Sequence, residues 1–584
     1  MATDPDPKGR ISEYDLEEQK RESRFGVNYK WIALSNTTLG VLIATIDSSI
    51  LIISLPAIFN GLGVNPLTSG NISLLLWLII GYIITSSVTV VTIGRLSDMF
   101  GRVRLYNLGF LMFAVCSTLL WISTYLVHGN AGVISLIVIR LFQGLGGGFL
   151  FANSTAILTD AFPANERGKA LGINQIMGVS GSLIGLVMGG ILAAVDWHLV
   201  FLVSVPISVI GAIWAYIALR ELALIKKNQK IDILGNVTFA LSLTVLLFSL
   251  MYGLLPYGGS SVGWSNPLVI GGIVAGVLLM AAFVVIELNA KDPMFHLGLF
   301  RIRAFLLGIT SLFLAGVARG GLQFMLIIWL QGIWLPLHGV NFIDTPLIAG
   351  IDMIPLILGF LVSGPIFGTL SDRYGARIFS TCGMLINVAG FTLLLFLPTN
   401  FNYLVFAPII FLLGFGQGMF SAPNTASVMN SVPPELRGAT SGMRATFMNT
   451  SFMFSLVIFF TLLVVGVSGH LQTALYSGLV SQNVSAVVAT QVSTLPPTTA
   501  LFAALLGYNP MKTLLPAGVL DNLSATNRDN LIGTSFFPNL ILQPFANGLH
   551  IVFAAAAALS LIAAIASAMR GPRYINERQK GDRR

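Results

Sequence analysis

Fourteen long apolar stretches, separated by shorter polar segments, form the main pattern along this 584-residue chain. A transmembrane helix needs about 20 consecutive apolar residues, and each stretch reaches that length. The stretches are continuously apolar, whereas the strands of a membrane β-barrel alternate between apolar and polar positions. The pattern therefore predicts an all-α polytopic membrane protein with 14 transmembrane helices. The predicted spans are residues 31–57, 71–93, 105–127, 131–159, 168–194, 199–220, 233–254, 267–288, 304–334, 346–369, 377–397, 403–429, 439–467 and 546–570.

Composition and charge are those of a membrane protein and exclude a soluble one. Hydrophobic residues make up 55% of the chain and charged residues 10%, against about 25% charged residues in soluble proteins. If the N-terminus is cytoplasmic, the basic loop residues fall on the inner side, and only Lys512 and Arg528 fall on the other. This positive-inside pattern predicts a protein of the cell (plasma) membrane with cytoplasmic N- and C-termini. The positive-inside distribution of basic residues accounts for the net charge of +8. We therefore expect no nucleic-acid partner.

Internal repetition divides the chain into two related halves. The segment GRLSDMFGRVR at 94–104 recurs as GTLSDRYGARI at 368–378, and residues 144–172 align without gaps with residues 414–442. Both copies of each segment fall on the same predicted face of the membrane, so the repeats are parallel and contain six helices each. The seventh and eighth spans have no counterpart in either half.

These observations predict the regions of the chain. They are a cytoplasmic N-terminal tail (1–30), an N-terminal six-helix bundle (31–220), two additional helices with flanking loops (221–303), a C-terminal six-helix bundle (304–570) with an extracellular insertion (468–545), and a cytoplasmic C-terminal tail (571–584). Within the insertion, VSAVVATQV and TALFAALLG are predicted to form short helices. These helices either pack as a hairpin over the outer mouth or lie among lipid headgroups. A gating role and a passive cap both remain open.

Several motifs resemble those of a known transporter family. The loop motif G-x-L-x-D-x-x-G-R at 94–102 and the arrangement of six, two and six helices resemble the major facilitator superfamily. The first-helix pattern I-D-x-S-I-x-x-x-x-L-P around Asp47, RLFQGLGGG at 140–148 and GSLIGLVMGG at 181–190 are similar to motifs of its fourteen-span drug:proton antiporter branch. The resemblance implies the major facilitator fold, with two six-helix bundles plus two extra helices, and proton-coupled export by alternating access.

Ionisable side chains within the predicted spans need an explanation, because an Asp or Arg at the centre of a transmembrane helix costs about 2.5 to 3.5 kcal/mol. Asp47 and Arg140 lie at comparable depths, and we expect both to face one central cavity from its outer half. For Asp47, a direct role in proton coupling or binding is favoured over a structural ion pair. For Arg140, the resemblance implies a proton relay, and a hydrogen-bonded helix contact is the alternative.

The first helix and the C-terminal half supply the other candidates. A partly polar stripe from Asn36 to Ser54 on the first helix is predicted to line the cavity. Arg319 and Asp352 form a second pair, for which an intramembrane salt bridge is favoured over a coupling role. The full set predicted for proton coupling or the substrate cavity is Asp47, Arg140, Asn36, Gln143, Arg319, Gln323, Asp352 and Asn449.

Asp98 is predicted to belong to a conformational latch. It lies in a short cytoplasmic loop with Arg95, Arg102 and Arg104, and it could pair with these arginines or with a positively polarised helix end across the bundle. Such a contact holds one conformation and breaks in the other. A purely topological role of the basic residues is the alternative. The predicted latch residues are Gly94, Asp98, Gly101, Arg102 and Asp372.

Glycines in the fifth span form the antiporter-type helix motif implied by the resemblance. Their small size permits close approach of a neighbouring helix. Leu186 stands where the family motif has a proline, so a proline bend is not expected there. The motif residues are Gly181, Gly185, Gly189 and Gly190.

The sequence thus predicts a secondary active transporter that exports drugs or other amphiphilic small molecules in exchange for protons. A lone carboxylate favours cationic substrates, whereas Arg140 and Arg319 favour neutral or anionic ones, so the substrate charge stays open. Export of a specific endogenous metabolite or lipid, and proton-coupled uptake, are the alternatives. The sequence contains no P-loop, metal-ligand cluster or nucleophile motif, so we expect neither an enzyme nor a metal or cofactor, with the proton gradient as energy source. The expected partners are protons, a small-molecule substrate and the lipid bilayer, and the protein is expected to be monomeric.

Overall fold

The computed structural model describes residues 28–64, 71–163, 166–222, 232–290, 293, 295–341, 344–433, 436–505, 509–516 and 518–571. Within these ranges the chain forms helices and no β-strand, apart from one isolated bridge between Tyr257 and Ser260. Fourteen helices are long and apolar enough to cross a membrane. They are α1 (Tyr29–Gly61), α2 (Asn71–Phe100), α3 (Arg102–Leu126), α4 (Gly129–Ala161), α5 (Arg167–Val195), α6 (Leu199–Ala218), α7 (Ile233–Tyr252), α8 (Pro267–Asn289), α9 (Arg303–Leu337), α10 (Leu347–Tyr374), α11 (Ala376–Leu395), α12 (Tyr403–Asn430), α13 (Arg437–Ser481) and α14 (Phe536–Ala568).

The number and order of these helices confirm the predicted fold class. The largest difference concerns α13, which continues to Ser481 rather than ending at residue 467. No proline interrupts this extension, and Leu471, Leu475 and Leu479 recur four residues apart and are at most 1% exposed. At 1.5 Å per residue the helix is about 68 Å long, more than twice the roughly 30 Å hydrocarbon core of a bilayer. The helix α13 is therefore too long to lie within the membrane alone, and its buried leucines stabilise the part that extends beyond it.

Parts of the predicted organisation lie outside the described residues. These parts are residues 1–27 of the N-terminal tail, residues 223–231 between α6 and α7, and residues 572–584 of the C-terminal tail. The region boundaries and the cytoplasmic location of both termini stay predictions. We call the face that carries 94–104 and 368–378 the predicted cytoplasmic face, and the opposite face the predicted outer face.

The repeated segments make the same packing contact in both halves. A Cβ atom on Gly109 of α3 would lie 3.1 Å from the carbonyl oxygen of Gly146 on α4. In the second half, a Cβ atom on Gly416 of α12 would lie 2.6 Å from the carbonyl oxygen of Gly383 on α11. Glycine at both crossing points lets the two backbones touch. Helices α1–α6 form one six-helix bundle, the N-bundle, and α9–α14 form the other, the C-bundle.

The two bundles meet through α2 with α13 and through α5 with α10. At the second junction, a Cβ atom on Gly172 of α5 would lie 2.9 Å from the carbonyl oxygen of Gly364 on α10. Helices α7 and α8 pack on each other, and α7 also contacts α2 and α13. The Thr92 hydroxyl of α2 donates to Asn236 of α7 at 2.5 Å. The extra helices therefore attach where α2 and α13 join the bundles.

The insertion before α14 contains two short helices near the predicted positions, Ala486–Ser493 and Pro497–Leu505. The second helix packs on α9, where a π-helical turn places Gly332 against Ala504. Ala500 and Ala503 of the same helix are at most 1% exposed. This burial against protein argues against a position of the second helix among lipid headgroups.

Candidate functional site

Asp47 and Arg140 form a buried ion pair inside the N-bundle. The Arg140 Nη1 group donates to Asp47 Oδ2, and the two residues are 3% and 2% exposed, respectively. Gln143, one turn after Arg140 on α4, accepts from Arg140 Nη1 at 2.9 Å and donates to Asp47 Oδ1 at 3.0 Å. Each charge is compensated only while its partner stays in place. The network therefore joins α1 to α4 through the Asp47 carboxylate.

Neighbouring helices complete the polar surroundings of this pair. The Ser204 hydroxyl of α6 donates to Asp47 Oδ1 at 3.3 Å, and Gln143 Nε2 donates to Ser117 Oγ of α3 at 2.9 Å. The Arg140 guanidinium lies 4.8 Å from the centre of the Tyr82 ring of α2, which is within the range of a cation–π interaction. Movement of any of these helices would change the environment of the Asp47 carboxylate.

The polar stripe on α1 faces the interior of the N-bundle and not the central cavity, which corrects the prediction. Asn36 Nδ2 donates to the carbonyl oxygen of Gly211 on α6 at 3.2 Å, and Gly40 lies against the Tyr106 ring of α3. A different face of α1, which includes Thr45, lines the cavity. The rise per residue predicts the depth of a residue along a helix. It leaves open which way the helix is rotated.

A cavity of about 170 Å³ lies between the two bundles. Helices α1, α4 and α5 form its wall on the N-bundle side, and α9 to α14 form the wall on the C-bundle side. Arg319 and Gln323 line it, as predicted. The predicted cavity or coupling residues that are not part of the wall are Asp47, Arg140, Asn36, Gln143, Asp352 and Asn449. The ion pair and the cavity are therefore separate features that share helices α1 and α4.

Arg319 and Asp352 do not form the predicted salt bridge. Of the ion pairs within 4.0 Å among the described residues, none joins these two side chains. Asp352 is half-buried near the start of α10, where the Tyr403 hydroxyl donates to its backbone carbonyl at 3.1 Å. Similar depth in the membrane was the basis of the prediction. Depth alone does not bring two side chains on different helices together.

Arg444 of α13 is a cavity residue that sequence reasoning missed. It is 4% exposed, lines the cavity and donates from Nη2 to the Thr155 hydroxyl of α4 at 2.9 Å, across the two bundles. Asn449, one to two turns further along α13, donates to Ser86 Oγ of α2 at 3.3 Å. The sequence contained a signal for it, because Arg444 is an arginine within the predicted span 439–467. Arg140 was selected on the same ground in its own span.

Asp98 joins the two bundles at the predicted cytoplasmic face. Its Oδ1 accepts from Arg102 Nη2 at 2.7 Å within the N-bundle. Its Oδ2 accepts from the backbone N–H of Ala439 at 3.0 Å. Ala439 lies in the first turn of α13, where the N–H groups have no acceptor within the helix. This contact matches the arrangement expected of a latch that pairs a carboxylate with a positively polarised helix end.

Asp160 at the end of α4 extends the contact between the bundles. Arg102 Nη1 donates to Asp160 Oδ2, and Asp160 Oδ1 lies 3.7 Å from Arg437 Nη1 of the C-bundle. Arg167 Nη1 donates to Asn430 Oδ1 of the C-bundle at 2.9 Å. Asp160 and Asn430 occupy equivalent positions in the repeat of 144–172 and 414–442, but neither was among the predicted site residues. Together with Asp98, these side chains link the two bundles at the predicted cytoplasmic face.

The remaining predicted latch residues lie around these contacts. Gly101 ends α2 with φ of 105°, a conformation that favours glycine. Gly94 is close to α13, since a Cβ atom on Gly442 would lie 3.4 Å from its Cα. Asp372 acts electrostatically on Arg167, which precedes the membrane span Lys169–Ala193. Burial lowers the pKa of Arg167 to about 9, partly opposed by the charge of Asp372.

The glycine motif of α5 packs against α1. Gly181, Gly185 and Gly189 recur four residues apart, and a Cβ atom on Gly185 or Gly189 would lie 2.5 or 2.7 Å from a carbonyl oxygen of α1. The backbone of α5 therefore touches the part of α1 that carries Asp47. Gly190 points elsewhere, with its Cβ position 3.4 Å from the backbone nitrogen of residue 347 on α10.

Sequence comparison identifies transporters as relatives. The riboflavin transporter RibZ of Clostridioides difficile (strain 630) is 29% identical over 434 residues, which cover 74% of this chain and 87% of that protein. The tetracenomycin C resistance and export protein of Streptomyces glaucescens is 25% identical over 541 residues, which cover 91% and 90%. The named exporter and the fourteen helices confirm the resemblance to the fourteen-span drug:proton antiporter branch.

Structure comparison and a family match agree on the fold. The solved structure of the proton:xylose symporter XylE, bound to 6-bromo-6-deoxy-D-glucose, aligns with a TM-score of 0.52 and 16% identity, covering 84% of this chain and 96% of that one. At this identity the likeness concerns the fold alone. The sequence model of the Major Facilitator Superfamily matches residues 37–456, well over half of the chain. This protein therefore belongs to the Major Facilitator Superfamily.

Proposed function

We propose that this transporter exports amphiphilic small molecules, drugs among them, in exchange for protons by alternating access. The observation that carries the proposal is the buried network of Asp47, Arg140 and Gln143. A nearby arginine favours the charged form of a carboxylate, so release or rearrangement of the arginine would favour proton binding to this network. Proton binding and helix movement are therefore linked at this position.

The link to the substrate runs along α1. Thr45 lines the cavity between the bundles, and Asp47 follows it by two residues on the same helix, facing the interior of the N-bundle. Protonation of Asp47 from the outer side would weaken its hold on Arg140 and allow α1 and α4 to move relative to each other. The close contact of the α5 glycines with α1 would transmit this movement to α5, which forms one of the two junctions between the bundles.

The test is transport by purified protein in sealed proteoliposomes with an imposed pH gradient. Asp47→Asn should abolish gradient-driven movement of a fluorescent amphiphile and preserve exchange of substrate for substrate without a gradient, because the cavity is left intact. Asp521→Asn is the matched control, since this carboxylate is exposed in the insertion before α14 and forms no ion pair within 4.0 Å among the described residues. Undiminished gradient-driven transport by Asp47→Asn would overturn the proposal.

The riboflavin transporter among the relatives favours a second candidate, transport of one specific metabolite on the same fold. Competition distinguishes the two. Many unrelated amphiphiles should inhibit a broad exporter, whereas only riboflavin or close analogues should inhibit a metabolite transporter. The direction of movement in the same vesicles separates export from uptake.

We further propose that the protein is a monomer in the cell membrane with both termini cytoplasmic. Single cysteines introduced into either tail should react with an impermeant thiol reagent only after the cells are opened. Labelling of intact cells would contradict this orientation, and the mass of the detergent-solubilised protein would test the monomer.

A further inference from the structure

The cavity between the bundles contains positive charge that its wall does not balance. Arg319 of α9 and Arg444 of α13 line it, and its described wall includes neither Asp nor Glu. Neither arginine has a carboxylate within 4.0 Å among the described residues. Asp47, the buried acid of the N-bundle, is already paired with Arg140. The wall of the cavity is therefore cationic.

Both guanidinium groups have donors available for a ligand. Arg319 is partly exposed, and its Nε has no hydrogen-bond acceptor in the described part of the chain. Arg444 donates from Nη2 to Thr155, but its Nε also lacks an acceptor among the described residues. A guanidinium carries five N–H donors, and leaving buried donors unpaired is unfavourable. A bound anion would supply the missing acceptors.

The two arginines lie at different depths along one wall. Gly320 of α9 packs against the backbone of Phe452 on α13, with its Cβ position 3.0 Å from the Phe452 Cα. Arg319 is therefore near the level of residues 452 and 453, and Arg444 lies about 12 to 14 Å closer to the predicted cytoplasmic face at 1.5 Å per residue. A substrate that enters from that face would meet Arg444 first and Arg319 second.

The rest of the wall suits an apolar molecule with few polar groups. Phe151, Phe360, Phe391 and Met353 provide apolar surface, and Gln417 provides an amide. Sites for small molecules commonly combine such apolar walls with a few polar groups that fix orientation. An arginine fork adds two parallel hydrogen bonds to a carboxylate, phosphate or sulfonate group.

We infer that the substrate class is an amphiphilic organic anion, with its acidic group held first by Arg444 and then by Arg319 and its apolar body against the aromatic wall. The inference deepens the proposed export function and rests on it for the use of this cavity. An anionic lipid and a free organic acid share the required chemistry. A lipophilic cation does not, because it would be brought beside two uncompensated guanidinium groups.

Three probes with the same apolar body test the charge preference. Pyrenebutyrate is anionic, pyrenebutanol is neutral and pyrenebutyltrimethylammonium is cationic. Binding is measured by fluorescence anisotropy with the full-length protein in nanodiscs of phosphatidylcholine, which has no net charge. We expect the anion to bind at least about tenfold more tightly than the alcohol, and the cation to bind most weakly. Equal or tighter binding of the cation to the native protein would overturn the inference, whether or not any variant folds.

Variants assign the preference to the cavity. Arg319→Gln and Arg444→Gln should each reduce the anion's advantage, and the double variant should remove most of it, while binding of the alcohol changes by less than about twofold. Arg570→Gln is the matched control, because Arg570 is also buried in the C-bundle but bonds to Ser311 and Asn424 and is not part of the cavity wall. An equal loss for all three probes in Arg319→Gln would contradict an anion site.

Two further measurements separate the remaining possibilities. Displacement of pyrenebutyrate in nanodiscs that contain phosphatidylglycerol would identify the anion as a lipid headgroup, and its retention would favour a free organic acid. Both results support the anionic class. Transport driven by a pH gradient tests the export function independently. Export of the cation in preference to the anion would refute the substrate class alone, and anion binding without gradient-driven transport would refute export alone.

Discussion

The ion pair between Asp47 and Arg140 predicts strong energetic coupling between the two residues. Arg140→Gln leaves the Asp47 carboxylate, 3% exposed, with hydrogen bonds from Gln143 and Ser204 but without a cation. Asp47→Asn leaves the Arg140 guanidinium buried without a carboxylate. Removal of one partner from a buried pair costs about 3 to 5 kcal/mol, because an uncompensated charge stays buried. We expect each single variant to lower the free energy of unfolding by an amount in this range.

The double variant should be more stable than either single variant. Asp47→Asn with Arg140→Gln removes both charges and leaves amide groups that can bond to Gln143 and Ser204. The remaining loss should be no more than about 2 kcal/mol, since buried pairs are often replaced by neutral groups at little cost. The coupling free energy, obtained as the difference between the double variant and the sum of the single variants, should therefore be at least about 4 kcal/mol.

Titration of the protein in mixed micelles with sodium dodecyl sulfate, followed by circular dichroism, measures these differences. Asp352→Asn is the control for the substitution itself, and we expect a change of less than about 0.5 kcal/mol. Losses below about 1 kcal/mol in both single variants, or strict additivity in the double variant, would refute the view that the pair acts as one buried electrostatic unit.

Three further changes address packing, the latch and pH. Gly189→Ala would place a Cβ atom 2.7 Å from a carbonyl oxygen of α1, so folded yield and vesicle transport should fall, whereas Gly271→Ala on α8, with nothing within 4 Å, should change neither. Asp98→Asn weakens a charge-assisted bond worth about 1.5 to 3 kcal/mol, so spin-label distances across the predicted cytoplasmic face should lengthen. Asp196→Asn at the opposite face should leave them unchanged, and unaltered distances in Asp98→Asn would argue against a latch. Burial raises the pKa of Glu221, so the stability that its proton contributes is complete at low pH and is lost as the pH rises through the raised pKa. Melting temperatures between about pH 4 and 7 should therefore decline less steeply for Glu221→Gln, and identical slopes would contradict this assignment.

The helices and the contact of Asp98 across the bundles could be predicted because the sequence signals for them are one-dimensional. Apolar length determines where a helix can span, and loop repetition determines which loops share a face of the membrane. Asp98 was expected to pair with the arginines of its loop or with a helix end across the bundle, and it accepts from both Arg102 and the N–H of Ala439. The shared glycine contacts of Gly146 and Gly416 likewise follow from the sequence repeat.

The errors concern the rotation of helices about their axes. Asn36 and Asp47 were expected to line the cavity, but they face the interior of the N-bundle, and the glycines of α5 contact another side of α1. Arg319 and Asp352 share a depth range and yet do not pair. The rotation of a helix about its axis determines which of its faces contacts each neighbouring helix. This rotation depends on the packing of several helices at once, and the periodicity of one helix does not contain this information.

The uncompensated arginines of the cavity also bear on the role of membrane voltage. Outward movement of a monoanion and inward movement of a proton carry charge in the same electrical direction, so each exchange transfers two elementary charges. At about 2.3 kcal/mol per charge for 100 mV, such a voltage supplies about 4.6 kcal/mol per cycle, equivalent to a concentration ratio of roughly 10³. Exchange of a monovalent cation for a proton would be electrically silent. An anion exporter of this design would therefore run on membrane potential even where the pH is equal on both sides.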